Sequence, residues 1–143
     1  MKMEEMMKEL SRVTNLTGLK RSDIRIGSGS AMMFYGLRSE TNDIDAAVPG
    51  DIFKKLMADK RFKVASFKSA LNGEERFIVN VGLVDFHNED DTADFDFKTK
   101  DIGGYRVDTP ETILRFKQKM NRPKDQADIR LLKTVIGYTA NFQ

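Results

Sequence analysis

Residues 26–45 carry the strongest structural signal in the chain, and they read Ile26-Gly-Ser-Gly-Ser-Ala-Met-Met-Phe-Tyr-Gly-Leu-Arg-Ser-Glu-Thr-Asn-Asp-Ile-Asp45. A glycine-serine turn is followed by a short apolar run, a second turn and two aspartates separated by one isoleucine. Side chains two positions apart in a strand point to the same face. We therefore expect Asp43 and Asp45 to project together from a strand, while Ile44 enters the core.

The acid pair predicts a metal site. Two adjacent carboxylates repel each other unless a positive charge lies between them. Hard oxygen ligands of this kind suit Mg²⁺. A strand end with two solvated carboxylates is the alternative, but the glycine-serine turn upstream favours a metal. The sequence therefore predicts that Asp43 and Asp45 bind magnesium.

The glycine-serine turn predicts phosphate binding. Gly29 and Ser30 precede a short helix predicted over residues 31–35, and free N–H groups at such a turn, together with a hydroxyl, can hold a triphosphate. An ordinary turn is the alternative, in which glycine supplies backbone freedom and serine caps the helix. Because Gly27-Ser28 repeats the pair, the register of the turn stays open by two residues.

Composition bounds the class of protein. The 143 residues predict a single domain over 1–143, with 40% hydrophobic and 32% charged residues. No apolar run has the length of a membrane span, and the charged N-terminal segment is no signal peptide. The absence of cysteine excludes disulfides, zinc thiolates and a cysteine nucleophile. We expect a cytoplasmic protein without a membrane partner, and a net charge of +2 argues against a protein that coats nucleic acid.

The periodicity of apolar residues predicts an α+β fold, a small mixed β-sheet flanked by helices. Residues 88–101 are predicted to be a solvated loop, and Asn72-Gly73 indicates a hairpin. Predicted helices cover residues 3–13, 31–35, 49–57, 110–121 and 123–136, and predicted strands cover residues 23–26, 43–48, 62–67, 76–81, 83–86 and 105–107.

A third carboxylate and the only histidine lie in one apolar segment. Three interpretations of Asp85 are open: a third metal ligand, a base that activates an attacking hydroxyl, or a solvated residue that points outward. His87 is a base, a metal ligand or a partly exposed residue at a strand end, and the last interpretation is favoured. A second Asp-x-Asp, at Asp94 and Asp96, lies in a polar segment without a glycine turn, which indicates solvated side chains.

Basic residues gather late in the chain. Lys117 or Lys124 could neutralise charge on a triphosphate. Alternatively, Lys124 and Asp128 form a surface ion pair at helical spacing. Arg38 contacts phosphate or ends a turn. Acids over residues 85–96 and bases over 115–133 fit a cleft with an acidic and a basic wall, and equally a solvated loop beside a solvated helix.

These motifs together resemble the nucleotidyltransferase superfamily, the DNA polymerase beta-like fold. Gly29-Ser30 and Asp43-Ile44-Asp45 match its Gly-Gly/Ser and Asp-hydrophobic-Asp motifs in order and approximate spacing. The closest resemblance is to the minimal and AbiEii-type toxin branch, since Arg38 and Thr41 match residues that this branch favours before the acid pair. The segment Arg122-Pro-Lys-Asp-Gln-Ala-Asp128 is similar to a late motif of the same branch.

The resemblance implies a mixed sheet and a magnesium-dependent enzyme. It implies Mg²⁺ held by Asp43 and Asp45, with Asp85 as the third carboxylate, and it places Lys124 and Asp125 near the nucleotide. It implies transfer of a nucleoside monophosphate from a triphosphate, ATP being one candidate, to an acceptor hydroxyl.

Several partners stay open at this stage. The acceptor could be tRNA, a protein or a small molecule, and the role could be that of a toxin, an antitoxin or another modifier. Since toxins of this branch carry an added helical domain, we expect a partner protein or a second copy to complete the acceptor site. The competing hypothesis is a non-catalytic module of the same fold that binds nucleotide or RNA.

Overall fold

The computed structural model describes residues 1–141, with side chains through residue 137, and its strands form one mixed sheet. The strands are β1 (Arg25–Ile26), β2 (Ile44–Val48), β3 (Lys63–Lys68), β4 (Glu75–Val81), β5 (Val84–Asn88), β6 (Thr99–Ile102) and β7 (Tyr105–Asp108). The helices are α1 (Met3–Thr17), α2 (Ser28–Phe34), α3 (Gly50–Ala58), α4 (Pro110–Met120) and α5 (Gln126–Asn141). The predicted mixed sheet with flanking helices is confirmed.

The strand order is β3-β4-β5-β2-β1-β7-β6. β2 runs parallel to β5 and β1 runs parallel to β7, while the other neighbouring strands are antiparallel. β1 is only two residues long, yet it lies between β2 and β7 and joins the two halves of the sheet. The assignment of residues 1–143 to a single domain stays a prediction.

One face of the sheet, which we call the core face, carries the apolar side chains. Ile44 lies opposite Val84, and Phe86 lies opposite both Ala46 and Val79. All five are buried. Residues directly opposite each other on neighbouring strands present their side chains to the same face, so these residues pack together as one layer. Helix α1 adds to the same cluster through apolar residues at helical spacing, namely Met6, Leu10 and Val13.

The other face, which we call the polar face, carries Asp45 and the residues that lie opposite it on the neighbouring strands. Asp45 lies opposite Asp85, Asp85 opposite Asn80, and Asn80 opposite Lys63. These four residues form one row across β2, β5, β4 and β3. Asp43 lies in the bend before β2, outside the strand in which the sequence placed it, and it lines the same cavity as Asp45. The predicted orientation of Ile44 into the core is confirmed.

Residues 88–101 differ from the predicted solvated loop. They contain a short 3-10 turn at Glu89–Thr92 and the edge strand β6. Two of their phenylalanines, Phe95 and Phe97, stack with each other and with Phe116 of α4. The sequence pattern did not predict β6, because an exposed edge strand has almost no apolar periodicity. Asp94 and Asp96 are exposed, as predicted.

The helix ends follow ordinary capping chemistry. The Thr109 hydroxyl oxygen accepts a hydrogen bond from the Thr112 backbone N–H at 3.3 Å, as the simple cap at this position predicts. The last helix begins later than predicted, at Gln126, because Pro123–Asp125 forms a separate 3-10 turn. Within the described residues, no helix combines the length and the apolar character needed to cross a bilayer.

Replacing Phe86 tests the core face. Phe86→Ala should lower the free energy of unfolding by about 3–5 kcal/mol, because the side chain is fully buried between strands and leaves a cavity. Phe77→Ala is the matched control, since Phe77 is 40% exposed and its loss should cost about 1 kcal/mol or less. Urea unfolding of both variants measures the difference. Equal losses would contradict the assignment of the core face.

Candidate active site

The acid pair lies at the wall of a cavity of about 530 Å³, and its main chain is tied to α2. The Ser30 hydroxyl donates to the Asp43 carbonyl oxygen at 3.2 Å and accepts from the Asp45 N–H at 3.0 Å. The Thr41 hydroxyl also donates to the Asp43 carbonyl, at 2.8 Å. The carboxylates of Asp43 and Asp45 therefore stand on a backbone that cannot shift without breaking buried hydrogen bonds.

Negative charge is concentrated at this wall. Burial, followed by the neighbouring carboxylates of Asp43 and Asp85, raises the pKa of Asp45 to about 6. The positive charges of Lys117 and Lys124 act in the opposite direction. A carboxyl group with a raised pKa beside another acid is a frequent sign of a functional site. A bound cation would relieve this repulsion.

The residues present fit a magnesium ion that also binds ligand oxygens. Mg²⁺ is usually held by one or two carboxylates together with phosphate oxygens and water. Asp43 and Asp45 supply two carboxylates at the cavity wall. Within the described part of the chain, no three acidic or histidine side chains converge closely enough to hold a metal by themselves. The arrangement therefore suits a metal that arrives with its substrate.

Asp85 lies beside the cavity and does not line it. Its Oδ1 accepts a hydrogen bond from the Asn80 side-chain amide at 2.9 Å. Its charge contributes to the raised pKa of Asp45 across the β2–β5 pairing. The role of Asp85 as a third metal ligand or as a base stays a prediction.

His87 is half-buried at the end of β5 and lines the cavity. Its Nε2 lies 3.9 Å from Oδ1 of Asp45, and its ring makes an edge contact with Phe67. Burial lowers the pKa of His87, so the imidazole is mostly uncharged at neutral pH. The favoured interpretation of a partly exposed strand-end residue fits this position.

The two Gly-Ser pairs of the turn lie at different depths from the cavity. Gly27 and Ser28 line the cavity, whereas Gly29 and Ser30 are buried and do not line it. The phosphate-binding role of Gly29 and Ser30 stays a prediction; in this structure the Ser30 hydroxyl binds the main chain at Asp43 and Asp45. A Cβ on Gly29 would collide with the guanidinium of Arg38, so Gly29 makes room for that group.

Lys117 forms the centre of the basic wall opposite the acids. Its side chain is only 7% exposed, and its Nζ lies 3.2 Å from Asp128 and 3.4 Å from Asp125. Asp128 also accepts a hydrogen bond from Arg38 at 2.7 Å. Arg38 therefore acts on Lys117 through Asp128, and it is not among the residues that line this cavity.

Lys124 is exposed at the cavity. The ion pair with Asp128 that helical spacing suggested does not form, because Lys124 lies in the 3-10 turn before α5 while Asp128 faces Lys117. Among the described residues, no acid forms an ion pair with Lys124. Its ammonium group is therefore available to a ligand.

Asp125 was predicted to lie near the nucleotide, and the structure places it behind the wall. Its side chain is 1% exposed and does not line the cavity. The carboxylate accepts hydrogen bonds from the backbone N–H and the guanidinium of Arg122. Burial raises the pKa of Asp125, but the hydrogen bonds from Arg122 and the charge of Lys117 outweigh it and lower the pKa overall. Asp125 therefore holds Arg122 and Lys117 in place.

Sequence reasoning missed the residues at the floor of the cavity. Arg25 donates to Asp108 at 2.8 Å, and its guanidinium stacks over Phe97 at 3.7 Å from the ring centroid. Burial raises the pKa of Asp108 to about 6 in spite of Arg25. The signal was present in part, since an arginine between two isoleucines of a strand needs a buried partner.

No family model matches the sequence, and a search of curated proteins finds no match. Among solved structures, the chain is similar to that of the aminoglycoside nucleotidyltransferase ANT(2'')-Ia in complex with adenylyl-2''-tobramycin. The TM-score is 0.52 at 18% sequence identity, over 95% of this chain and 90% of that chain. The similarity confirms the predicted nucleotidyltransferase-like fold.

Ser30→Ala tests the tie between α2 and the acid pair. Removing the hydroxyl leaves the Asp45 N–H without its partner, so the free energy of unfolding should fall by about 1–3 kcal/mol. Ser39→Ala, at an exposed position of the loop before β2, should change it by no more than about 0.5 kcal/mol. Chemical denaturation measures both, and a neutral Ser30→Ala would show that the tie is dispensable.

Asp125→Asn tests the buried ion pairs. Because folding lowers the pKa of Asp125, its contribution to stability is complete above the unfolded value of about 4 and is lost as pH falls through the folded value. The variant should lose about 3 kcal/mol at neutral pH. The difference from the unmodified protein should shrink in acid.

Denaturation at neutral and at acidic pH measures this difference. Asp94→Asn is the control, because the Asp94 side chain is exposed and should contribute little at either pH. A loss at Asp125 that is the same at both pH values would contradict the ionic role.

Proposed function

We propose that this protein is a magnesium-dependent nucleotidyltransferase that moves a nucleoside monophosphate from a nucleoside triphosphate to an acceptor hydroxyl and releases pyrophosphate. One observation carries the proposal: Asp43 and Asp45 face a cavity whose other side carries Lys117 and Lys124. The nucleotidyltransferase-like fold supports it. Paired acids opposite free and buried ammonium groups suit a ligand that brings both a cation and a triphosphate.

Asp43 and Asp45 would hold Mg²⁺, with Asp85 as the predicted third carboxylate. The ion would supply positive charge to the phosphate oxygens, where charge builds up during transfer. Ser30 contributes by holding the main chain of the pair, through its bonds to the Asp43 carbonyl and the Asp45 N–H. The carboxylates are thus oriented before the substrate arrives, which lowers the cost of reorganisation.

The two lysines would act on the triphosphate in different ways, one by direct contact and one through its charge. Lys124, exposed and without a described ion pair, is placed to bind phosphate directly. Lys117 is held by Asp125 and Asp128, so its charge is fixed in position and acts on the phosphates electrostatically. The apolar lining contributed by Phe97, Phe116 and Met120 leaves room for the nucleoside.

The proposal extends to the donor and the biological role. ATP is the donor to test first, since the related structure contains an adenylyl group. The resemblance of Arg38, Thr41 and the 122–128 segment to AbiEii-type toxins favours a role in a toxin–antitoxin system. A partner protein or a second copy remains the expected means of completing the acceptor site.

The double variant Asp43→Ala/Asp45→Ala tests the proposal. With α-labelled ribonucleoside triphosphates and Mg²⁺, label transfer and pyrophosphate release should fall on the order of a hundredfold or more, because the metal site is gone. Asp94→Ala/Asp96→Ala removes the second Asp-x-Asp, which is exposed, and should retain full activity. Circular dichroism checks that both variants fold.

Two outcomes would contradict the proposal. Full transfer by the Asp43/Asp45 variant would place the metal site elsewhere. Magnesium-dependent nucleotide binding without transfer to RNA, protein or small acceptors would favour a non-catalytic binding module of the same fold.

A further inference from the structure

Strand β3 is an open edge of the sheet. It is last in the strand order, it pairs only with β4, and all six of its residues are exposed. Ser69, directly after the strand, donates its backbone N–H to the Glu74 carbonyl at 2.8 Å. Because backbone groups alternate between the two edges of a strand, those of Val64, Ser66 and Lys68 point away from β4. They form a row of donors and acceptors with which no described strand pairs.

Large apolar side chains are exposed on both faces of the sheet beside this edge. Val64 and Phe77 lie on the core face and are each 40% exposed, and Phe67, on the polar face, is 38% exposed. Ser66 lies opposite Phe77 and is too small to cover its ring. The other edge strand, β6, carries no exposed large hydrophobic side chain. An apolar surface that continues around a strand edge is typical of a protein–protein contact.

The charge of this region is mostly positive. Residues 54–68 hold six basic residues and one acid, whereas the rest of the chain holds 18 basic and 21 acidic residues. The acid, Asp59, is paired with Arg61. Lys63 and Lys68 lie at the two ends of β3 and form no ion pair within the described part of the chain. Because side chains alternate along a strand, Lys63 lies on the polar face and Lys68 on the core face.

We propose that β3 binds an extended acidic segment of a partner protein, which adds to the sheet as a further strand. Hydrogen bonds to the outward backbone groups of β3 would supply affinity, and alternate side chains of the added strand would reach both faces. Apolar side chains at its centre would contact Val64 and Phe67, and acids near its ends would face Lys63 and Lys68. The docked segment would lie beside the cavity, because Phe67 and Lys68 line it. This docking does not depend on nucleotidyl transfer.

Other occupants fit β3 less well. A second copy paired through β3 would bring together two strands that carry lysines and no acid, and opposed like charges are destabilising. A polynucleotide lying on one face would meet only one of the two lysines, since Lys63 and Lys68 lie on opposite faces. Lysines on an edge strand also discourage aggregation. That purpose does not explain the exposed Val64, Phe67 and Phe77, which work against it.

Peptide binding, followed by fluorescence anisotropy, tests the edge. The probe is a short fluorescein-labelled peptide with valines and threonines at its centre and glutamates at both ends. The protein should bind it about tenfold more tightly than a matched peptide with lysines at both ends. Ser66→Pro should weaken binding about tenfold, because it removes an outward N–H and one ladder hydrogen bond.

Thr99→Pro is the matched control at the other edge of the sheet. The Lys98 carbonyl accepts from the Thr109 N–H at 3.0 Å, so the backbone groups of Thr99 in β6 point outward. The variant therefore loses an equivalent outward donor, and it should bind the peptide normally. Circular dichroism checks that both proline variants fold.

A second pair of variants tests the charges and keeps the backbone of the edge intact. Lys63→Gln/Lys68→Gln should weaken binding of the acidic peptide about fivefold, because two opposed charge pairs are lost. Lys54→Gln/Lys55→Gln makes the same change in net charge at exposed positions of α3, within the same basic stretch. It should leave binding unchanged. Equal losses in both variants would show attraction to net charge alone and would contradict docking at β3.

Three further outcomes would overturn the proposal. No binding, or equal binding of the two peptides, would leave β3 an edge that its lysines merely protect. Self-association in sedimentation that Ser66→Pro abolishes would assign the edge to a second copy. Binding of a single-stranded RNA that needs Lys63 and Lys68, in a protein that does not bind the acidic peptide, would assign it to nucleic acid.

The peptide assay is separate from the proposed function. It contains neither nucleotide nor metal, so failure of peptide binding leaves the proposed transfer reaction standing. Conversely, peptide binding that depends on Ser66, Lys63 and Lys68 would support the docking edge even in a protein that transfers no nucleotide.

Discussion

The mutual repulsion of the carboxylates at the cavity wall is the constraint that determines how the rest of the site is arranged. Asp43, in the bend before β2, and Asp45, within the strand, line one cavity, and the parallel pairing of β2 with β5 brings Asp85 beside Asp45. The backbone cannot relax this crowding, because Ser30 and Thr41 bind the main chain of the pair. Relief must come from positive charge, either from the facing lysines or from a bound cation.

The positive charge that faces the acids has supports of its own. Lys117 is nearly buried, and a buried ammonium group is costly unless it is paired. Asp125 and Asp128 supply that pairing, and these acids in turn accept hydrogen bonds from Arg122 and from Arg38. Positive and negative side chains therefore alternate from the cavity outward. Each charged group offsets the cost of burying its neighbour on the cavity side.

The sequence was most informative where local geometry decides the outcome. The orientations of Ile44 and Asp45 followed from period two within β2, whereas Asp43 lies in the bend before the strand and still reaches the same cavity. The register of the repeated Gly-Ser pairs depended instead on which serine reaches β2, a contact across 15 residues that no local pattern encodes. For the same reason, helical spacing paired Lys124 with Asp128, whereas tertiary packing pairs Asp128 with Lys117.

The two-residue strand β1 forms a seam in the sheet, that is, a short strand between the half that ends in β3 and the half that ends in β6. In the sheet, Arg25 and Ile26 pair with β2, in the half that carries the acids, and with β7, from which α4 and Lys117 follow; the Arg106–Glu89 ion pair also links the two halves. A ladder of two residues has few hydrogen bonds, so opening at this seam is resisted mainly by the burial of Ile26 and by the Arg25–Asp108 ion pair. Such an opening would draw the ammonium group away from the carboxylates, and the site would lose its charge balance while both halves kept their structure.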